Sequence, residues 1–107
     1  MATKGYVVFR CSGPHGAPGV NEAWSEAINK LFSEKTEEWK AAGGIGWRHT
    51  VDVFRNSPRA QLMSEFETVE QAIAWYLKLE STGFYKAFVD LGTLDFEVSV
   101  HRLSGEE

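Results

Sequence analysis

The alternation of apolar and polar residues is most regular in LDFEVSVHRL (Leu94 to Leu103), which puts Leu94, Phe96, Val98 and Val100 on one side and Asp95, Glu97, Ser99 and His101 on the other. A period of two marks a strand with unlike faces. GYVVFRCS (Gly5 to Ser12) is a second strand, rich in β-branched and aromatic residues and closed by the turn-forming GPHGAPG of Gly13 to Gly19. The period then becomes helical: Val20, Trp24, Ala27, Ile28, Leu31, Phe32 and Trp39 recur among Glu and Lys, predicting one long amphipathic helix. Asn21 is placed to cap it, Glu22 to complement its dipole, and Gly43-Gly44 to stop it. GWRHTVDVFRN (Gly46 to Asn56) and AQLMSEFE (Ala60 to Glu67) predict a hairpin joined through Pro58, which has no amide to give a ladder. Thr68 with Gln71 three positions on is a capping box. It opens a helix whose Val69, Ala72, Ile73, Tyr76 and Leu77 share a face. Ser81-Thr82-Gly83 interrupts that helix, and Phe84, Phe88 and Leu91 predict a short one after it, ending at Gly92. Ser104 to Glu107 reads as a frayed tail.

Strand, helix, strand, strand, helix, strand is the split βαβ order, an α+β arrangement with a four-stranded antiparallel sheet carrying its helices on one face. At 107 residues the chain is expected to be one domain, residues 1–107, with material for a single core. A net charge of −4 offers no footprint for a phosphate backbone or an anionic membrane surface, so neither nucleic acid nor membrane is an expected partner. The single cysteine, Cys11, allows no internal disulfide, and no apolar run reaches signal-peptide or membrane-spanning length; the expectation is a cytoplasmic protein.

Helices on one face leave the other open, where polar residues are expected. Phe96, Val98 and Val100 with Val7 and Phe9 suffice for the helix side. Tyr6 and Val8, on the opposite side of a strand this order makes central, are also large and apolar. Trp47, Val51 and Val53, beside Phe54 on the alternate side of the second strand, pose the same problem. A second layer would hide them, and a chain this short has only another copy of itself to supply one. The element order, with EFETVEQAIAWYL followed by GFYKAF, resembles the dimeric α/β-barrel (ferredoxin-like) superfamily and, more narrowly, its antibiotic-biosynthesis-monooxygenase-like branch. Glu65 and Ala72 sit at matching separations, and Phe84-Tyr85-Lys86-Ala87-Phe88 matches that branch's aromatic segment. Tyr76 stands where those relatives carry His. The resemblance implies a homodimer whose sheets pack face to face, with Asp95, Glu97, Ser99 and His101 pointing into the barrel or to its rim.

A mixed polar and aromatic cavity suits a small molecule. The expected ligand is aromatic or polyketide-like, handled without metal or organic cofactor. Oxygenation of a phenol and aldol-type cyclisation both begin with deprotonation and develop an oxyanion. His49 or His101 is the candidate base, Arg10 the oxyanion partner unless it neutralises Glu97 or Asp95, and Tyr76 the acid, through the family position it occupies. Tyr6, Val8, Trp47, Glu65, Trp75, Glu97 and Ser99 are the candidate substrate-binding residues. Cys11 and His15 are four apart, with no third orienting group, and Cys11 reads as a small buried apolar residue. The alternatives are a non-catalytic dimeric ligand-binding or interaction domain, and a haem-binding or haem-degrading protein. No HExxH, CxxC or EF-hand loop is present.

Overall fold

The computed structural model describes residues 3–14, 20–51 and 59–106, with the backbone alone for Val20, Asn21 and Val51. Its elements are β1 (Gly5–Ser12), α1 (Val20–Glu34), α2 (Thr36–Ala41), β2 (Gly44–Val51), β3 (Arg59–Phe66), α3 (Val69–Ser81), α4 (Phe84–Asp90) and β4 (Leu94–Arg102). The strands form one antiparallel sheet in the order β2-β3-β1-β4, the ferredoxin-like arrangement expected from the element order. Residues 15–19 of the predicted turn, His15 among them, and Val53, Phe54 and Pro58 of the predicted hairpin lie outside the described residues.

Register assigns the faces. Val7 stands opposite Ser64 and Val100, and Phe9 opposite Leu62 and Val98. These residues face the helices, where Val7, Phe9, Phe66, Ala72, Trp75, Leu79, Phe84 and Phe88 form the buried core. Phe9 is its aromatic hub, with ring centroids 5.3 Å from Phe32, 5.9 Å from Phe88 and 6.3 Å from Phe84; such pairs add about 0.5–1.5 kcal/mol each beyond area burial. On the free face Tyr6 lies between Glu65 and His101, Val8 between Met63 and Ser99, and Arg10 between Gln61 and Glu97. Val8 is only 1% exposed within one chain, so its burial needs no second layer. That takes Val8 out of the sequence argument for a covering subunit and leaves Tyr6, which is half-buried.

Four further expectations change. The long helix breaks at Lys35, where the amide donates to Phe32 O three residues back, the Thr36 hydroxyl donates to the same carbonyl, and α2 restarts with Glu37 and Glu38 in its first turn. Hydroxyl back-bonding of this kind bends helices. α1 is already under way at Val20, so Asn21 lies in its first turn rather than at its cap. α3 begins at the predicted capping box, with the Gln71 amide 3.1 Å from Thr68 Oγ1 and the Thr68 amide 3.2 Å from Gln71 Oε1. Its buried face, however, is Ala72, Trp75 and Leu79, and Ile73 and Leu77 are exposed. The segment is apolar nearly all round, and the choice of face follows from the close approach of β1. A methyl group on Gly5 would come within 2.5 Å of the Val69 Cα and 3.0 Å of the Ala72 methyl. Finally, a bulge between the Arg10 and Ser12 pairings, with Asp95 at φ 51°, shifts the start of β4 and leaves Leu94 40% exposed instead of in line with Phe96.

Candidate functional site

The helices do not lie flat on the whole sheet. Between α1 and α2 on one side and β1, β3 and β2 on the other runs a cleft of about 530 Å³, within the range of small-molecule sites. Its outer wall is the inner face of α1 and α2, with Ile28, Phe32 and Trp39. Leu62, Ser64 and Phe9 belong to the sheet side, and Trp75, Leu79, Phe84 and Phe88 close the back. The break at Lys35 lets α2 turn toward the sheet, where the Trp39 indole packs over Gly44 and stands edge-on to Phe66, ring centroids 6.4 Å apart. At the other end the Trp24 indole donates to Thr93 Oγ1 at 2.8 Å, tying the start of α1 to the segment before β4. Trp47 is 64% exposed on the edge strand. With Trp75, all four tryptophans of the chain line this one cleft.

The register divides the predicted site residues. Trp47 pairs with Ser64 and His49 with Leu62, which puts both on the helix side, and both line the cleft together with Trp75. Arg10, His101, Tyr6, Val8, Glu65, Glu97 and Ser99 are on the free face, so the sheet separates them from His49. There they form a polar network. The Tyr6 hydroxyl donates to Glu65 Oε1 at 3.1 Å, and Lys4 stands 3.8 Å from the same oxygen. Burial, and then the bond to Glu65, hold the Tyr6 phenol above its ordinary pKa. Arg10 Nε donates to Gln61 Oε1 at 2.9 Å, and no ion pair joins it to Glu97 or Asp95 among the described residues. Ser99 Oγ and His101 Nε2 are 2.8 Å apart. Tyr76 joins neither group: it packs on Tyr85, ring centroids 5.5 Å apart, and its carbonyl accepts from the Tyr85 hydroxyl at 2.8 Å.

Sequence reasoning left out the helix side of the cleft: Ile28, Phe32, Lys35 and Trp39, with Cys11, Leu62 and Ser64 from the strands. The available signal was the four tryptophans. Cys11 is buried in the cleft wall, and burial raises its thiol pKa, which keeps it in the neutral form. Among the described residues no group of three or more His, Cys, Asp or Glu is placed to hold a metal ion, and no helix is long and apolar enough to cross a membrane.

No family model matches the chain, and no curated protein matches it. Solved structures do. A dimeric ferredoxin-like protein from an uncultured marine organism superposes with a TM-score of 0.77 at 18% identity, covering 98% of this chain and 99% of that one. A second dimeric ferredoxin-like protein, also from an uncultured marine organism, gives 0.66 at 14% identity over 100% and 92%. The hydroxynitrile lyase from Passiflora edulis gives 0.60 at 11% identity over 99% and 97%. The fold is ferredoxin-like. At these identities the likeness is one of fold.

Proposed function

We propose that the chain binds a small aromatic or polyketide-like molecule in the cleft between helices and sheet and acts on it with His49 as general base, in the manner of a cofactor-independent monooxygenase or cyclase. The observation that carries this reading is the convergence of all four tryptophans on a cleft of about 530 Å³ in which His49 is the one histidine among the described lining residues. Indole walls favour a planar, polarisable ligand. An imidazole on the exposed edge strand is reachable by the phenolic or activated methylene proton that either reaction must remove. Ser64, opposite Trp47 on the sheet, offers a hydroxyl to the developing oxyanion. Oxygenation would take dioxygen as co-substrate; cyclisation needs none. The base would equally serve an aromatic hydroxynitrile, the class named for the Passiflora protein, so one belongs among the test compounds.

The same proposal includes a homodimer formed through the free face of the sheet, as in the barrels the sequence resembles. It is supported by the two ferredoxin-like neighbours being dimeric. Tyr6, Arg10, Glu65, Glu97, Ser99 and His101 then belong to the interface or to a cavity between the sheets, apart from the His49 cleft.

Tryptophan emission tests the cleft directly. Titration with naphthols, polyketones and an aromatic cyanohydrin should quench or shift it saturably, and His49→Gln should keep binding while losing about 10²–10⁴-fold in turnover of the responsive compound. A ligand that binds but is never turned over would leave the non-catalytic reading standing. Unchanged turnover in His49→Gln would remove the base, and a flat titration across the panel would remove the cleft as a site. Haemin addition followed by an absorbance scan addresses the haem-binding alternative.

A further inference from the structure

The charges around the cleft are one-sided. In a chain with 15 Asp and Glu against 11 Lys and Arg, no carboxylate is among the described lining residues, whereas Lys35 and Arg59 are. Lys35 sits at the break between α1 and α2, its side chain 25% exposed and its Nζ 3.6 Å from Glu38 Oε1. Glu38 does not cancel that charge. Its other oxygen is 3.4 Å from Lys78 Nζ, so one carboxylate is shared between two ammonium groups and the cluster keeps a net positive charge. A separation of 3.6 Å is also beyond a good hydrogen bond, which leaves donors of Lys35 available. Arg59 opens β3 and His49 is exposed on β2, both at the solvent side of walls that are otherwise aromatic and aliphatic. Ser25, Asn29, Ser33 and Thr36 supply the remaining polar groups from the helices.

We propose that the cleft selects an amphipathic organic anion, with a planar apolar body between the indoles and a carboxylate, phenolate or enolate head at the basic rim of Lys35 and Arg59. This deepens the reading given above and rests on the cleft being the binding site. In a protein of net negative charge, a local excess of cations beside a low-dielectric wall strengthens attraction for the anion and disfavours an amine of the same shape. It also suits the chemistry: a rim that holds an anion stabilises the product of the proton transfer to His49.

Isosteres separate this claim from the one beneath it. 2-Naphthoate, 2-naphthamide and 2-naphthylmethylamine differ mainly in head-group charge, and calorimetric titration of the full chain with each gives three affinities. The expected order is naphthoate tightest, about fivefold to tenfold over the amide, with the amine weakest. Lys35→Met and Arg59→Gln should each cut the naphthoate advantage and together bring it within about twofold, lowering naphthoate affinity more than naphthamide affinity; raised salt should do the same to the wild type. Naphthamide binding as tightly as naphthoate, or an advantage undiminished in the double variant, overturns anion selection and leaves the cleft in place. Binding of none of the three overturns the cleft and this proposal together.

Discussion

Gly44→Ala is a sharp probe of how the cleft is built. Gly44 opens β2 directly beneath the Trp39 indole, and a methyl group there would lie 2.5 Å from the indole Nε1 and closer still to Cδ2 and Cε2. No such contact is tolerated, so the ring must move, yet it is held edge-on against Phe66 and its Nε1 is buried with no partner among the described residues. Gly44 is not among the glycines with positive φ, so the cost is one of overpacking rather than backbone strain. Forced overpacking costs about 1–3 kcal/mol. A loss near 2 kcal/mol lowers the melting temperature of a domain this size by about 8–16 °C. Urea denaturation followed by tryptophan emission measures the cost, and the same variant should weaken any cleft ligand because a displaced Trp39 reshapes the wall. Gly46→Ala, where a methyl group meets nothing within 4 Å, is the control and should be near neutral. In a Trp39→Leu background the Gly44→Ala penalty should shrink by most of its value, a coupling of the kind found between residues in contact. If Gly44→Ala unfolds at the wild-type urea concentration, or its penalty is the same with and without the indole, the packing of α2 on β2 described above is wrong.

Thr68→Ala should cost about 1 kcal/mol by removing the hydroxyl that receives the Gln71 amide, read as a lower urea midpoint at unchanged m-value. Gly43→Ala should cost at least as much: its φ of 103° is unfavourable to any side chain, and the added methyl would meet the Gln71 side chain at 2.5 Å and pull it from the same capping box. Tyr85 links stability to alkaline pH. Burial, then the neighbouring Tyr76 and Glu80, raise its phenol above the ordinary 10.0, while in the unfolded chain it titrates near that value. The folded state therefore holds the proton longer. Its contribution is complete below the unfolded pKa and drains away as pH rises beyond it toward the folded one. Tyr85→Phe should lose about 1 kcal/mol at neutral pH with its bond to the Tyr76 carbonyl. It should also flatten the fall in urea midpoint as pH rises above about 10; an equally steep fall would mean that another group drives the alkaline loss.

Local signals survived translation into structure, and signals needing a partner strand did not. The capping box at Thr68 and Gln71 is legible because both halves lie within four residues. The alternation of β1 and β4 is legible because Val7, Phe9, Val98 and Val100 need only the pleat to share a face. The break at Lys35 was not, since Ser33 to Glu38 carries no glycine or proline and only a hydroxyl back-bond and a fresh acidic first turn mark it. The face of α3 was not, because AIAWYL is apolar on too many sides and Gly5, far away in sequence, makes the choice. The cleft was hidden by register. Trp47 and His49 share a face whatever the pairing, but which face depends on how β2 meets β3, and a one-residue irregularity between Gly44 and Gly46 enters that pairing. A shift of one residue exchanges the two sides of a strand, and nothing in GIGWRHTV announces it.

That register carries a consequence for mechanism. A site shared by His49, His101 and Arg10 would have to reach through the sheet, so within one chain the chemistry divides. The free-face groups largely satisfy one another, as Tyr6 with Glu65, Arg10 with Gln61 and Ser99 with His101 show. Polar groups that already have hydrogen-bond partners can meet another sheet without being left unsatisfied, which suits an interface better than a reaction. The cleft, by contrast, lies on the helix side, with the sheet between it and the free face. Ligand affinity there should accordingly be independent of protein concentration across any association that light scattering detects. A cleft that binds only in the associated form would mean that the free face, despite the sheet between them, controls the walls on the other side.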